Sequence, residues 1–351
     1  MFKDLNFFKN KKILITGHTG FKGAWLSFIM SQSGAEVMGI SHKIQNRELF
    51  KQLKIQKSIK SHEIIDIKNF KKLKNKIKLF KPEIVFHLAA QAIVSYSYND
   101  PINTFSTNII GSINLLQSCI DTKSVKSLIF VTSDKCYENN QWTWGYRETD
   151  KLGGIDPYSA SKASAELIFS SYLRSFIIKK NNFGAASVRA GNVIGGGDWS
   201  KDRLIPDIIR SIISSKPIYI RNPKSTRPWQ HVLEPLSGYI LLAKKLYYYP
   251  KKFSGAWNFG PSKNDNMNVE EVAREVIDYF GSGKIVKNRL KNFGHEAALL
   301  QLNCDKATNI LGWNSKWDTK ETIKKVAEWY KFDKRNKIEI TKKQINEYYH
   351  Q

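Results

Sequence analysis

The sequence predicts an α/β fold: a doubly wound parallel sheet over residues 1–190, completed by later return segments, and a smaller C-terminal α+β lobe formed mainly by 191–351. Three observations predict it. Short apolar segments alternate with helix-period stretches through the first half of the chain. A glycine-rich turn joins the first apolar segment to the first helical one. After about Gly191 the texture changes to loops, prolines and shorter mixed elements.

The elements follow in order. Ile13–Thr16, Val37–Ile40, Ile84–Leu88, Leu128–Ser133 and Ala185–Arg189 read as buried strands, because each is a short apolar run bounded by turn residues. Phe21–Ser33, Ile102–Ile120 and Pro157–Lys179 carry helical periodicity between them. The run 51–81 holds eleven lysines against Glu63 and Asp66. Within it Phe70, Leu73, Ile77 and Phe80 recur at helical spacing, so the lysines form the wet face of an ordinary helix. Gly195-Gly196-Gly197-Asp198 is a loop, and Pro206, Pro217, Pro223, Pro228, Pro235 and Pro250 punctuate the second lobe. From Thr341 the pattern Thr-x-x-Gln followed by Ile345, Tyr348 and Tyr349 predicts a final helix capped at Thr341.

Composition narrows the class. Hydrophobic residues at 41% and aromatics at 12% suit a globular protein, and no apolar run reaches the ~20 residues of a membrane span. Lys9, Lys11 and Lys12 lead straight into a strand rather than a signal peptide, which points to the cytoplasm. Cys119, Cys136 and Cys304 are widely spaced with no histidine cluster, so neither a disulfide framework nor a metal site is expected. The net charge of +25 is mostly scattered lysine, without the interleaved arginine and aromatic residues of a nucleic-acid surface.

Gly17-His18-Thr19-Gly20-Phe21-Lys22-Gly23 falls between the first strand and the first helix. Glycines there let the backbone turn sharply and approach a pyrophosphate, while the helix N-terminus offers N–H groups and a positive dipole end. The G-x-x-G-x-x-G spacing matches short-chain dehydrogenases and makes Gly17, Thr19, Gly20, Phe21, Lys22 and Gly23 candidates for holding a dinucleotide in a Rossmann sheet. The second strand ends Ser41-His42-Lys43, with no acid for a ribose 2′-hydroxyl, and Lys43 could favour a 2′-phosphate; NAD and NADP both stay open. Asp66 and Ile67 are candidates for the adenine end. Leu88, Ala89 and Ala90 would line the nicotinamide side, and Asn108 matches a position that braces this kind of site.

Tyr158 and Lys162 form a Tyr-x-x-x-Lys pair on one helix face, with Pro157 suited to the first turn. A tyrosine of pKa ~10 needs a neighbouring cation to act as a base near neutrality. Ser133 completes an oxidising trio. Thr132-Ser133-Asp134-Lys135-Cys136-Tyr137 then adds an acid and a lysine at the carboxyl end of a strand, where such sheets hold their sites. Oxidation alone needs no second acid/base pair, whereas elimination of water beside a new ketone does.

The stretches 17–23, 133–139, 144–148 (Trp-Gly-Tyr-Arg-Glu), 191–199 (Gly-Asn-Val-Ile-Gly-Gly-Gly-Asp-Trp) and 227–232 (Arg-Pro-Trp-Gln-His-Val) resemble the CDP-glucose 4,6-dehydratase family, from about residue 10 to about 330. The resemblance implies NAD as cofactor, CDP-glucose as substrate, and CDP-4-keto-6-deoxyglucose, a precursor of deoxysugars in surface polysaccharide, as product. It implies that Tyr158 and Lys162 run the oxidation while Ser133 holds the 4-hydroxyl. Asp134 and Lys135 stand where related dTDP-glucose enzymes carry Asp and Glu; which of the two deprotonates C5 stays open, and a lysine base must be neutral to act. Gln91, Asn192, Arg203, Arg227, His231, His295 and Glu296 become substrate candidates, with the arginines suited to a diphosphate. The positive field would draw in such an anionic ligand. Helices 102–120 and 157–179 would pair with copies in a homodimer or homotetramer. The rivals are an epimerase or reductase of the same fold, a dehydratase for a GDP- or dTDP-hexose, a catalytically silent NAD-binding regulator and a basic nucleic-acid-binding protein.

Overall fold

The computed structural model describes residues 3–44, 47–220, 222–261, 267–287 and 299–350. Seven parallel strands make one sheet: β1 (Lys12–Thr16), β2 (Glu36–Ser41), β3 (Ser61–Ile64), β4 (Ile84–His87), β5 (Ser127–Val131), β6 (Gly184–Arg189) and β7 (Gly255–Asn258). Their spatial order is β7-β6-β5-β4-β1-β2-β3. Chain order therefore reverses between β1 and β4, and the crevice at that switch point is where open α/β sheets bind ligands. β1, β4 and β6 are buried almost throughout, which explains their continuous apolar reading.

Each face of the sheet has its own core. Phe21–Gln32 and Leu233–Tyr248 cover one side through Trp25, Phe28, Leu236 and Tyr239. Phe70–Phe80, Gly111–Ile120 and Pro157–Tyr172 cover the other through Leu73, Ile77, Leu115, Leu116 and Phe169. On Phe70–Phe80 the buried positions are Leu73 and Ile77, while Lys71, Lys72 and Lys78 face water. β7 enters the sheet from beyond residue 190, so the second half of the chain returns to the first.

Four sequence expectations shift. The fifth strand ends at Val131, two residues before Ser133, because the chain turns there into the short 3-10 turn Asp134–Cys136. The helical run 102–120 is built of Pro101–Phe105, a π segment Ser106–Ile110, and Gly111–Ile120. The long catalytic helix is α only to Tyr172 and continues as a π turn, Leu173–Ile177. The last helix begins at Lys337, not Thr341. Thr341 Oγ1 donates to the Lys337 carbonyl at 2.7 Å, and Gln344 Nε2 donates to the Lys325 carbonyl at 2.7 Å, so neither residue caps. Pro206 and Pro235 sit inside the first turns of Leu204–Ile213 and Leu233–Tyr248, starting helices rather than breaking them.

Among the described residues no helix is long and apolar enough to cross a membrane, and no group of three or more His, Cys, Asp or Glu is placed to hold a metal ion.

Candidate active site

The glycine loop fits its geometry residue by residue. Gly17 has φ +75°, and a Cβ there would meet the Ala89 nitrogen at 2.7 Å and the Leu88 carbonyl carbon at 2.8 Å. The loop is thereby pressed onto the end of β4, and Leu88 and Ala89 form its floor. A Cβ on Gly23 would run into the Gly17 carbonyl. Gly20 begins the helix Phe21–Gln32 without a side-chain cap. A backbone cradle and an uncapped helix N-terminus suit a pyrophosphate. Thr19 does not face outward: its Oγ1 donates to the Lys43 carbonyl at 2.9 Å, and its N–H reaches Ser41 Oγ at 3.4 Å.

At the end of β2, Ser41 Oγ bonds His18 Nδ1 at 3.0 Å, and His18 Nε2 lies 2.6 Å from His62 Nδ1. Gly39 leaves the space that seats the His18 ring. Burial and the neighbouring His62 hold His18 at about 4, so it is neutral at physiological pH. This buried chain from the glycine loop to β3 was not legible in the motif spacing. Ile67 packs in the core and its carbonyl accepts from Asn114 Nδ2 at 3.0 Å, which leaves half-exposed Asp66 as the polar group of that pair.

Asn108 braces rather than lines. Its Oδ1 accepts from the Gln91 N–H at 2.8 Å, and its Nδ2 donates to the Gln91 carbonyl at 3.0 Å and to Ser161 Oγ at 2.8 Å. The segment after β4 is thus tied to the catalytic helix. The Gln91 side chain is spent locally on Ile93 and Thr104. Ala90 lies between these anchors, half-buried.

Asp156 caps the catalytic helix through Ser159 N–H at 3.0 Å, and Pro157 occupies its first turn. Tyr158, Lys162 and Glu166 then share its buried face. Lys162 Nζ reaches the Val131 carbonyl at the end of β5 at 3.4 Å, and burial brings it down to about 8. Burial also pushes Tyr158 up to about 12, against a downward pull from the Ser133 hydroxyl and Arg203. Ser133 Oγ donates to Asp134 Oδ1 at 2.9 Å. Asp134 is only 4% exposed and lies against Gly191, where a Cβ would collide with its carboxylate. Tyr158, Lys162, Ser133 and Asp134 therefore meet at the carboxyl end of β5, with Lys135 half-buried beside them.

Two further cations enter this site. Lys22, from the glycine loop, is brought to about 8 by burial and senses Arg203, Asp134, Lys162 and Asp198. Arg203 Nη1 pairs with Asp198 Oδ2 at 3.0 Å. Behind the helix, burial would raise Glu166, but Arg189 holds it down with bonds at 3.0 and 2.8 Å; Thr132 and Ser187 add 2.5 and 2.8 Å bonds. This network ties β6 to the catalytic helix, and sequence reasoning missed it because nothing in the spacing pairs residue 166 with 189.

The remaining substrate candidates divide. The Asn192 carbonyl accepts from Gln230 N–H at 3.3 Å with Asn192 in a left-handed turn at φ +49°. Arg227 is buried on a two-stranded ribbon with Met267 and donates to the Thr226 carbonyl at 2.9 Å. His231 is interior: it packs edge-on to Trp25 and Trp317 at 5.8 and 4.9 Å, and burial lowers it to about 3. Its neighbour Gln230 lines the cleft beside Asp134 instead. His295 and Glu296 lie outside the described residues.

Comparison with known proteins agrees with this geometry. The GDP-mannose 4,6 dehydratase family model matches residues 14–326. The CDP-glucose 4,6-dehydratase of Salmonella typhimurium is 47% identical over 333 residues, covering 93% of this chain and 92% of that protein. A dTDP-glucose 4,6-dehydratase from Bacillus anthracis, solved in complex with NAD, superposes with a TM-score of 0.75 at 23% identity, covering 91% of this chain and 96% of that one. The UDP-glucose 4-epimerase of Thermus thermophilus, also solved with NAD, gives 0.76 at 22% identity, covering 92% and 99%. The chain belongs to the nucleotide-sugar dehydratase family that the GDP-mannose 4,6 dehydratase model describes.

Proposed function

We propose that the protein is a CDP-glucose 4,6-dehydratase that uses NAD. The observation that carries this reading is a buried acid, Asp134, hydrogen-bonded to Ser133 within the Tyr158/Lys162 site. The 47% identical relative names the substrate. NAD fits the Gly17–Gly23 cradle and the uncapped helix beyond it. When bound it supplies a hydride acceptor that gives the same hydride back. Ser133 and Tyr158 hold the sugar's 4-hydroxyl, and Tyr158 takes its proton under the field of Lys162 and Arg203. Once C4 is a ketone the C5 proton is acidified. Asp134 and Lys135 then share two tasks, removing that proton and protonating the departing C6 hydroxyl. An epimerase does not need this second pair.

The finer expectations stand on separate supports. A division near residue 190 rests on the change of texture after Gly191. A cytoplasmic setting rests on three free thiols, which suit a reducing compartment. A role in deoxysugar and surface-polysaccharide synthesis follows from the product. Nucleic acid is no partner of this reading, since the lysine excess lies on solvated faces. Self-association rests on the two helical runs that pack on the same side of the sheet: Ile102 is 83% exposed and Leu167 61%, with Ile110 and Phe176 exposed near them in sequence. Exposed apolar side chains on helices are a mark of an interface.

The test is purified protein with CDP-glucose and NAD but no reductant. It yields a 4-keto-6-deoxy sugar nucleotide without net NADH. No loss of water from any nucleotide-activated hexose would refute the reading.

A further inference from the structure

The edge of the sheet farthest from the catalytic residues has a composition of its own. All seven strands are parallel, so the glycine loop, Ser133 and Asp134 lie at their carboxyl ends, and the segments that enter the strands lie together at the opposite edge. Ile84 pairs with Ile13 and Ser127, and Ser127 pairs with Gly184, so β1, β4, β5 and β6 begin almost level. With β7 beside β6, the five entering segments form a front about 20 Å wide.

These segments, 9–11, 81–83, 121–126, 178–183 and 249–254, hold nine lysines against two acids, Glu83 and Asp121. Both acids are already paired, Glu83 with Lys11 at 3.3 Å and Asp121 with Lys74 at 2.6 Å. Lys126 Nζ is fixed on the Tyr247 hydroxyl at 3.1 Å, and Lys180 Nζ on the Ile120 carbonyl at 2.6 Å. The other six, Lys9, Lys81, Lys123, Lys179, Lys251 and Lys252, make no ion pair among the described residues, and all six are exposed. Apolar groups stand among them. The helix Leu233–Tyr248 ends at this edge with Tyr248 and Tyr249 57% and 58% exposed. Tyr248 is anchored there by Phe7, whose ring lies 5.3 Å away in the turn before β1. Leu79, in the last turn of Phe70–Phe80, is 77% exposed. Helix dipoles draw lysines to helix ends, but they do not account for a leucine and two tyrosine rings left in water beside them.

We propose that this edge docks the protein on an anionic lipid bilayer. Lysine is a flexible point charge suited to a diffuse layer of headgroups, and a tyrosine ring with a polar tip suits the boundary between headgroups and acyl chains. Nucleic acid fits less well. No arginine lies in the five segments, and the two exposed rings are adjacent in sequence rather than spaced along a track on which bases would stack. Docking in this way leaves the catalytic edge facing away from the membrane, so entry of ligands from solution stays open. The inference is independent of the dehydratase reading.

The test is cosedimentation of the full chain with phosphatidylcholine vesicles, with and without phosphatidylglycerol, at low salt and at about 0.5 M NaCl, where the Debye length falls to about 4 Å. Wild type should bind only the anionic vesicles and should be released by salt. Each lysine near an anionic surface is worth about fivefold in partitioning, so the triple variant Lys123→Gln, Lys251→Gln, Lys252→Gln should bind at least about tenfold more weakly. The control Lys71→Gln, Lys72→Gln, Lys320→Gln removes the same charge from other exposed positions and should bind like wild type. Tyr248→Ser with Tyr249→Ser should also weaken binding, at unchanged net charge. Matched melting temperatures check that the variants are folded. No affinity of the wild type for anionic vesicles, equal losses in the two triple variants, or capture by polyuridylate in place of the vesicles would overturn the proposal.

Discussion

At the scale of single residues the site is a balance between burial and charge. Burial puts Tyr158 at about 12 and Lys162 at about 8, so the tyrosine gives up its proton only where cations surround it. As pH rises through about 8, Lys162 loses its charge and that support weakens. The kcat/KM profile should therefore fall on its alkaline side near pH 8, and Lys162→Arg, which keeps its charge, should move the limb upward by about one unit or more. A limb unmoved by that change would remove Lys162 from the proton path. Stability responds with the opposite sign. The folded pKa lies below the ordinary lysine value of 10.5, so the unfolded chain binds the extra proton between about 8 and 10.5. The cost of the buried cation is present below pH 8 and is relieved as pH rises through that window. Lys135→Ala should still permit slow C4 oxidation, seen as NADH absorbance in a single turnover, while product formation falls by about 10²-fold or more. Unchanged turnover would take Lys135 out of the mechanism. These residues were legible in sequence because each lies in a short motif at fixed spacing. The His18–His62 pair was not, and Trp144 and Gln230, although inside the stretches 144–148 and 227–232, were not singled out, since only the folded chain brings these residues to their neighbours.

At the scale of elements, the position of the catalytic helix depends on contacts made from three sides. Asp156 starts it, Asn108 ties it to the segment after β4, and the Glu166–Arg189 pair fixes it to β6. Arg189→Met leaves a buried carboxylate without its partner and should cost about 3–5 kcal/mol in denaturant unfolding. The double variant Arg189→Met with Glu166→Leu should recover much of that loss, which would separate an unpaired charge from lost packing. Strand and helix identities were readable from the sequence pattern, since β1, β4 and β6 are buried almost throughout and mostly apolar. Element ends were less so. The final helix starts four residues before the Thr-x-x-Gln pattern because Thr341 and Gln344 spend their polar groups inside the fold. The π segments at Ser106–Ile110 and Leu173–Ile177 leave no mark that periodicity detects.

At the scale of the whole molecule, the exposed apolar residues of the two helical runs and the net charge of +25 act outside the site. The proposed self-association predicts that Leu167→Glu shifts the protein toward monomer in sedimentation velocity, and an unchanged sedimentation coefficient would refute a role for that face. The switch point between β1 and β4, the glycine cradle above it and the acid at the end of β5 converge on one function: a hydride is removed from a sugar and returned to the same molecule after water has left. CDP-glucose carrying deuterium at C4 tests this most directly. NMR of the product should show the deuterium at C6 of a 4-keto-6-deoxy sugar, transferred within the molecule. Deuterium retained at C4, or washed out to solvent with no label at C6, would contradict it.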